Sequence, residues 1–244
     1  MGKIKKLGKD VLVKIFKMPE ERALSIKRWI SAAFRLSMNK AVVSREHLPE
    51  VLKLLKLKGP AAEVGVAAGY FSDFLLKHSD ISILYSIDPW KTFDNDVYRD
   101  IGNVSQEEFE RDYKAAVRIL EKYRKRSNVL RMTSEEASRL FKTETLDFIF
   151  IDANHSYSEC IKDFENWWPK LRKGGVFAFH DYINAEIAQG AYGVKKAVDE
   201  FIKDKRQKLF VTPCVWPSAY IVKDTSYAQL LLRIFKGWYR NERQ

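Results

Sequence analysis

From residue 61 onward, short apolar runs alternate with amphipathic stretches of helical length, and this alternation restricts the fold more than any other feature. A strand covered on both faces needs a continuous apolar run, and an intervening helix returns the chain so that the next strand is parallel. The runs predict seven strands, at 61–66, 82–88, 128–132, 146–152, 175–181, 209–215 and 219–223. The stretches between them predict helices at 70–78, 106–126, 157–171 and 193–204. The pattern is typical of an α/β domain with a doubly wound, mostly parallel sheet.

Residues 1–58 follow a helical period and carry most of the net charge. Apolar side chains recur there at three- and four-residue steps, as in Ile4, Leu7 and Val11, and Gly59–Pro60 is a dipeptide that ends helices. Of the 43 basic and 32 acidic residues, 15 and 5 lie in this segment, which therefore holds +10 of the formal net charge of +11. We predict three regions: a basic helical segment at 1–58, the α/β domain at 59–226 and a C-terminal amphipathic helix at 227–244.

The charge distribution bears on the partners of the chain. Residues 59–244 are nearly neutral, which argues against nucleic acid as the partner of the α/β domain. The two terminal amphipathic regions could contact an anionic membrane surface, or they could pack on the domain or on a second copy of the chain. The two cysteines, Cys160 and Cys214, form no CxxC pair, and no apolar run reaches about 18 residues. We therefore expect a cytoplasmic protein that does not span a membrane. It either lies free in the cytoplasm or contacts the membrane surface peripherally.

The first predicted strand leads through Glu63 into a turn with two glycines, Gly65 and Gly69, and a helical pattern follows at once. Glycine allows backbone angles closed to other residues and lets a ligand approach the main chain. The second strand ends in Asp88, nineteen positions beyond Gly69, where a carboxylate in this architecture accepts hydrogen bonds from ribose hydroxyls. The pattern predicts a nucleotide-type site, although such glycines and a turn aspartate before Pro89 also occur without a ligand.

Polar residues follow the fourth and fifth predicted strands. Asp152 and His155 come directly after the fourth, and His180 and Asp181 end the fifth. Because neighbouring parallel strands bring their carboxyl ends to one edge of the sheet, we expect these four side chains to meet in a crevice there. The loop at 90–106, rich in Asp, Asn and aromatic residues, borders the same edge either as a lid or as a solvated insertion. The alternative for the two histidines is a structural role, in ordering the loop or in packing.

With these motifs the chain resembles the class I S-adenosylmethionine-dependent methyltransferases over about residues 60–224. The resemblance implies a Rossmann-like, seven-stranded sheet of order 3-2-1-4-5-7-6 with strand 7 antiparallel. It also implies S-adenosylmethionine as the cofactor and an assignment of residues to its parts. The implied cofactor-binding residues are Glu63, Gly65 and Gly69 at the methionine part, Asp88 at the ribose, Ser134 beside the adenine, and Asp152. The chain departs from the family in having Ala67 where another glycine is frequent, and a dinucleotide dehydrogenase fits less well because the third glycine of GxGxxG is out of register.

The segments Asp152–Tyr157 and His180–Tyr182, together with Ile87–Trp90, resemble a narrower subgroup. This subgroup contains macrocin-type sugar O-methyltransferases and relatives of cephalosporin-biosynthesis proteins. In its metal-dependent members a divalent cation is held after strands four and five, and the corresponding residues here are Asp152, His180 and Asp181. His180 departs from the acidic pattern, and imidazole suits Mn²⁺, Fe²⁺ or Zn²⁺ better than Mg²⁺.

The resemblance implies O-methylation of a small molecule or glycan. The chemical hypothesis is in-line methyl transfer in which Asp152, His155 and Asp181 are catalytic and His155 is the general base, because an unperturbed imidazole titrates near neutral pH. Two alternatives stay open at this point. One is a nucleic-acid methyltransferase that uses the basic segment, and the other is a catalytically silent binding or membrane-docking protein on the same fold.

Overall fold

The computed structural model describes residues 44–95, 98–187 and 190–224. The described residues from Ser44 onward belong to one compact unit. The predictions for helices before residue 44 and for the C-terminal helix at 227–244 fall outside the described residues. Nothing in the described ranges is both long enough and apolar enough, as a helix, to cross a bilayer.

The main sheet has seven strands: β1 (Ala61–Val64), β2 (Leu84–Asp88), β3 (Ser127–Arg131), β4 (Leu146–Ile151), β5 (Leu171–Phe179), β8 (Leu209–Val211) and β9 (Ala219–Val222). Their order in the sheet is β3-β2-β1-β4-β5-β9-β8. The first five strands pair in parallel, β9 runs antiparallel to β5, and β8 runs antiparallel to β9. The predicted order and the antiparallel last strand are thereby confirmed.

A two-stranded hairpin that the apolar pattern did not predict lies between β5 and the next helix. Its strands, β6 (Ala185–Ile187) and β7 (Gly190–Tyr192), pair only with each other. Three-residue strands are too short to show an alternating pattern, and this segment has none.

The helices connect the strands largely as predicted. They are α1 (Leu48–Leu54), α2 (Tyr70–His78), α3 (Gln106–Leu120), α4 (Ser134–Ser138), α5 (Tyr157–Trp167) and α6 (Val194–Asp204). Two predicted helices are shorter than expected, because α3 passes into a 3₁₀ turn at Glu121–Arg126 and α5 into one at Trp168–Lys170. In α3, Ser105 and Glu108 form a capping box that fixes where the helix begins.

The buried centre of the sheet explains the placement of the site. All six residues of β4 are buried, and a cluster of apolar side chains joins the middle strands to α5 and α6. Such a strand has no solvent-exposed face, so the polar side chains that can meet a ligand come after its carboxyl end. The ends of β1, β2, β4 and β5 therefore bring the predicted polar residues to one edge of the sheet.

Candidate active site

The glycine turn after β1 has the left-handed backbone conformation that its sequence predicts. Gly65 and Gly69 have φ angles of 86° and 84°, in the left-handed region that favours glycine. A Cβ atom on Gly65 would lie 1.9 Å from the carbonyl oxygen of Asp152, so only glycine allows the turn to pass this close to the end of β4. The predicted cofactor turn thus lies against the first residue of the predicted chemical site.

Asp88 braces this turn through main-chain hydrogen bonds. Its Oδ2 accepts from the N–H groups of Val66 at 2.9 Å and Ala67 at 3.1 Å, and its Oδ1 accepts from the N–H of Trp90 at 2.7 Å. The buried indole of Trp90 donates in turn to the carbonyl of Ala67 at 2.9 Å. A carboxylate has about four lone-pair sites, so one remains for a ribose hydroxyl, and the ribose-binding role of Asp88 stays a prediction.

Glu63 is buried inside β1, with 2% of its surface exposed, and its carboxyl accepts a hydrogen bond from the hydroxyl of Ser72. Burial raises the pKa of Glu63 to about 8, against the opposing effect of the Ser72 hydrogen bond. The side chain is therefore largely uncharged at neutral pH. Its predicted contact with the methionine part of the cofactor is not tested by this geometry.

The hydroxyl of Ser134, predicted to border the adenine, takes part in an internal network. It accepts from the indole N–H of Trp167 at 2.9 Å and donates to Asp163. Ser134 is also the first residue of α4, so its backbone N–H has no partner within that helix and is the group left for a ligand. The adenine-side role of Ser134 stays a prediction on that group.

The four polar residues after β4 and β5 form one cluster. Nε2 of His155 lies 3.2 Å from Oδ2 of Asp181 and 3.6 Å from Oδ1 of Asp152. Nδ1 of His180 lies 2.7 Å from Oδ1 of Asp181 and 3.4 Å from Oδ1 of Asp152. Asp181 has a φ angle of 51°, a backbone conformation that aspartate tolerates better than most residues and that is common at functional sites.

Three atoms of this cluster are buried without a hydrogen-bond partner. They are Nε2 of His155, Nδ1 of His180 and Oδ1 of Asp181, because the short distances between them lack hydrogen-bond geometry. Buried polar atoms are rarely left this way, and a bound ion is one ordinary reason for such an arrangement. Ligand atoms of Asp152, His155 and Asp181 lie within 4.8 Å of one another, so these residues fit a divalent cation. The predicted metal ligands were Asp152, His180 and Asp181, so this group contains His155 in place of His180. Ligation by His180 stays a prediction.

The charges of the cluster shift its titration strongly. Burial lowers the pKa of His155, but the carboxylates of Asp100 and Asp152 outweigh it and raise that pKa to about 10. Burial also lowers the pKa of His180, but the carboxylates of Asp152 and Asp181 outweigh this effect and raise the pKa to about 9. Burial raises the pKa of Asp152, but the two imidazoles and Arg45 outweigh it and hold that pKa far below its usual range. These shifts favour the charged form of both imidazoles when no cation is bound, whereas the hypothesis that His155 is the general base starts from an unperturbed imidazole. The role of His155 as the base stays a prediction.

Two residues at the site carried no specific signal in the sequence. Nη1 of Arg45 donates to Oδ2 of Asp152 at 2.8 Å, and its guanidinium lies 5.0 Å from the ring centroid of Phe71. Asp100, from the loop before α3, lies 2.7 Å from Nδ1 of His155. Arg45 is one of many basic residues near the N-terminus, and Asp100 lies in a loop without a period, so only the acidic character of that loop hinted at its role.

Comparison with known proteins agrees with this architecture. Residues 62–182 match the model of a family described as "Methyltransferase domain". An uncharacterized protein of Sinorhizobium fredii is 35% identical over 74 residues, which are 30% of this chain and 8% of that protein. The chain therefore spans a small part of the length of this curated relative.

Solved structures share the fold at low sequence identity. An O-methyltransferase from Bacillus cereus, solved in complex with SAH, has a TM-score of 0.54 and 15% identity, with 91% of this chain and 100% of that chain covered. An rRNA methylase from Streptococcus thermophilus has a TM-score of 0.50 and 14% identity, with 75% and 99% covered. At these identities the likeness concerns the fold alone. Residues 62–182, just under half of the chain, thus match a methyltransferase domain, and the sheet has the strand order that the resemblance to class I S-adenosylmethionine-dependent methyltransferases implies.

Proposed function

We propose that this chain transfers the methyl group of S-adenosylmethionine to a hydroxyl of a small molecule or glycan, with a divalent cation at the cluster after β4 and β5. One observation carries the proposal. The glycine turn contacts the backbone of Asp152, and the side chain of Asp152 belongs to a buried group of two carboxylates and two imidazoles. A cofactor at the turn would therefore present its methyl group beside groups that can handle an acceptor hydroxyl.

The reaction is a displacement at carbon. The bond between the sulfonium sulfur and the methyl carbon breaks, a bond forms between that carbon and the acceptor oxygen, and the acceptor proton leaves. Because the sulfonium methyl is already electrophilic, the protein has to align the acceptor and help remove its proton.

Asp152, His155 and Asp181 would hold the cation, which supplies acidification of the acceptor hydroxyl when bound. Asp152 and Asp181 also lie against Arg45 and the two imidazoles around the cleft, so they offset part of the positive charge there. With the cation bound, Nε2 of His155 is a ligand and Nδ1 is bound to Asp100, so His180 is the imidazole that could receive the acceptor proton once it has lost its own. Without the cation, Nε2 of His155 could take that role. The nearly neutral domain and the support from the subgroup resemblance favour a small acceptor over nucleic acid.

The test is transfer of a labelled methyl group from S-adenosylmethionine to a panel of catechols, phenols and glycosides, with and without Mn²⁺, Mg²⁺ or Zn²⁺. We expect His155→Ala and Asp181→Ala each to lower turnover by about 100-fold or more. The matched controls are His78→Ala and Asp204→Ala, which remove the same groups from exposed helix positions. Near-normal turnover in both site variants would rule out the proposed chemistry.

A further inference from the structure

The orientation of the His155 ring is set by a carboxylate from a different part of the chain. Asp100 is buried, and its Oδ2 lies 2.7 Å from Nδ1 of His155 and accepts a second, longer bond of 3.4 Å from the backbone N–H of the same residue. Resting on the proposed function, we infer that Asp100 is a positioning residue, which binds the Nδ1 side of His155 so that Nε2 faces Asp152 and Asp181 in the cleft.

Asp100 is itself held in place. The other carboxylate oxygen of Asp100, Oδ1, accepts a hydrogen bond from the backbone N–H of Gly102 at 2.8 Å. The backbone carbonyl of Asp100 accepts one from the backbone N–H of Asn103 at 3.1 Å. The side-chain amide of Asn103 connects described parts of the loop, because its Nδ2 donates to the backbone carbonyls of Phe93 at 2.9 Å and Tyr98 at 2.8 Å. Both carboxylate oxygens of Asp100 therefore have fixed partners, and the side chain has no freedom to turn away from His155.

The remaining contacts of His155 leave one ring atom for the site. The ring of Tyr192 stacks on it with centroids 4.6 Å apart and an angle of 15° between the planes. The N–H of Gly193 fixes the backbone by donating to the carbonyl of His155 at 2.8 Å. With Nδ1 bound to Asp100 and one face covered by Tyr192, the buried and unpartnered Nε2 is the atom directed at the two carboxylates.

This geometry has a clear chemical use. A histidine that ligates a metal or moves a proton works through one nitrogen, and a carboxylate on the other nitrogen fixes which one it is. Asp100 does this from the loop between β2 and α3, so it links the loop that borders the cleft to the residues after β4. The role concerns ring orientation, and it holds whether Nε2 binds a cation or receives a proton.

The first test reads the His155 ring directly in the full-length protein. Long-range proton–nitrogen NMR spectra resolve the imidazoles of the four histidines, and His155→Gln identifies the signals of this one. We expect Asp100→Ala to shift both ring-nitrogen signals of His155 while those of His47 and His78 stay in place. Asp100→Asn should give a smaller shift, because an amide oxygen can still accept from Nδ1. The matched control is Asp94→Asn, at an exposed aspartate of the same loop.

The second test measures Mn²⁺ affinity by calorimetry, without any methyl transfer. Loss of a carboxylate behind a ligating histidine typically weakens metal binding by about 10- to 100-fold, and we expect this of Asp100→Ala but not of Asp94→Asn. Unchanged ring signals of His155 in Asp100→Ala, in protein that still binds S-adenosylhomocysteine, would overturn the inference. Shifted ring signals with unchanged Mn²⁺ affinity would support the positioning role and contradict ligation of the cation by His155. A wild type that binds no Mn²⁺ would contradict the metal part of the proposed function, and the NMR result would then decide the role of Asp100 by itself.

Discussion

Ala67 is the residue at which the chain departs from the glycine pattern of the methyltransferases that it resembles, and its backbone conformation is strained. Its φ angle is 48°, in the left-handed region, where a Cβ atom is unfavourable by about 1–2 kcal/mol. Glycine would remove this strain, but it would also stabilise the unfolded chain by about 0.5–1 kcal/mol, because glycine has more conformational entropy there. We therefore predict that Ala67→Gly increases the free energy of unfolding by about 0.5–1 kcal/mol in urea titrations. Ala68→Gly, next to it and without a positive φ, should decrease that free energy, and a decrease in both variants would contradict the strain argument.

Asp163 gives the stability of the protein a specific pH dependence. Burial raises its pKa from the ordinary 3.8 to about 7, against the effect of the hydrogen bond from Ser134. Between these two values the unfolded state releases a proton that the folded state keeps. Below about pH 4 the carboxyl is protonated in both states and does not reduce the free energy of unfolding. From about pH 4 to about pH 7 the titration of Asp163 lowers that free energy by about 1.4 kcal/mol per pH unit.

Asp163→Asn removes this titration. We predict that the difference in unfolding free energy between the variant and the wild type shifts in favour of the variant as the pH rises from 4 to 8. The measurement is urea unfolding across that range, and Glu165→Gln, at an exposed position of α5, is the control that should show no such trend. Parallel pH curves for Asp163→Asn and the wild type would show that Asp163 ionises normally in the folded protein.

Residues at strand ends could be predicted from the sequence, whereas those that reach the site from elsewhere could not. Asp88, Asp152 and Asp181 come at or directly after the ends of apolar runs, so the topology of a parallel sheet alone brings them to one edge. Arg45 and Asp100 come from segments without a period, and their contacts with the site depend on loop conformation. The raised pKa of His155 was equally out of reach, because it results from carboxylates that are 55 and 3 positions away in the chain.

At the scale of elements, the β6–β7 hairpin matters more than its length suggests. It starts its second strand at Gly190, where a Cβ atom would lie 2.2 Å from the carbonyl oxygen of Arg99 and 3.3 Å from the α-carbon of Asp100. It ends at Tyr192, whose ring stacks on His155. The hairpin therefore packs against the backbone of the loop that carries Asp100, and it also covers one face of the His155 ring.

Gly190→Ala tests this packing. The clash is with backbone, which cannot move aside cheaply, so we predict a loss of about 1–3 kcal/mol in unfolding free energy. The same variant should shift the ring-nitrogen signals of His155, because the loop carrying Asp100 has to move. Ala191→Ser, at the exposed neighbouring position, should change neither quantity. A Gly190→Ala protein with wild-type stability would mean that the hairpin does not hold the loop.

At the scale of the whole molecule, the alternation of apolar runs and helices predicted a doubly wound, mostly parallel sheet, and the resemblance to class I methyltransferases supplied the strand order that the structure confirms. What failed was local: the ends of α3 and α5, where 3₁₀ turns replace the last helical turns, and the start of β5 at Leu171, four residues before the predicted strand. Such ends depend on capping and on neighbouring strands rather than on hydrophobic period.

A ligand that binds only the folded chain stabilises the whole of it, which gives a test of the cofactor site as a unit. At a concentration of 100 times its dissociation constant, S-adenosylhomocysteine should add about 2.7 kcal/mol to the unfolding free energy. For a domain of this size that corresponds to a rise in melting temperature of roughly 5–10 °C in differential scanning calorimetry. NADH is the matched control, because a dinucleotide-binding domain shares the strand, the glycine turn and the acid at the end of β2 but differs in the spacing of its glycines. A rise with NADH and none with S-adenosylhomocysteine would reverse the assignment of the turn, since Gly65, Gly69 and Asp88 would then serve a dinucleotide and the carboxylate–imidazole cluster would need another chemistry.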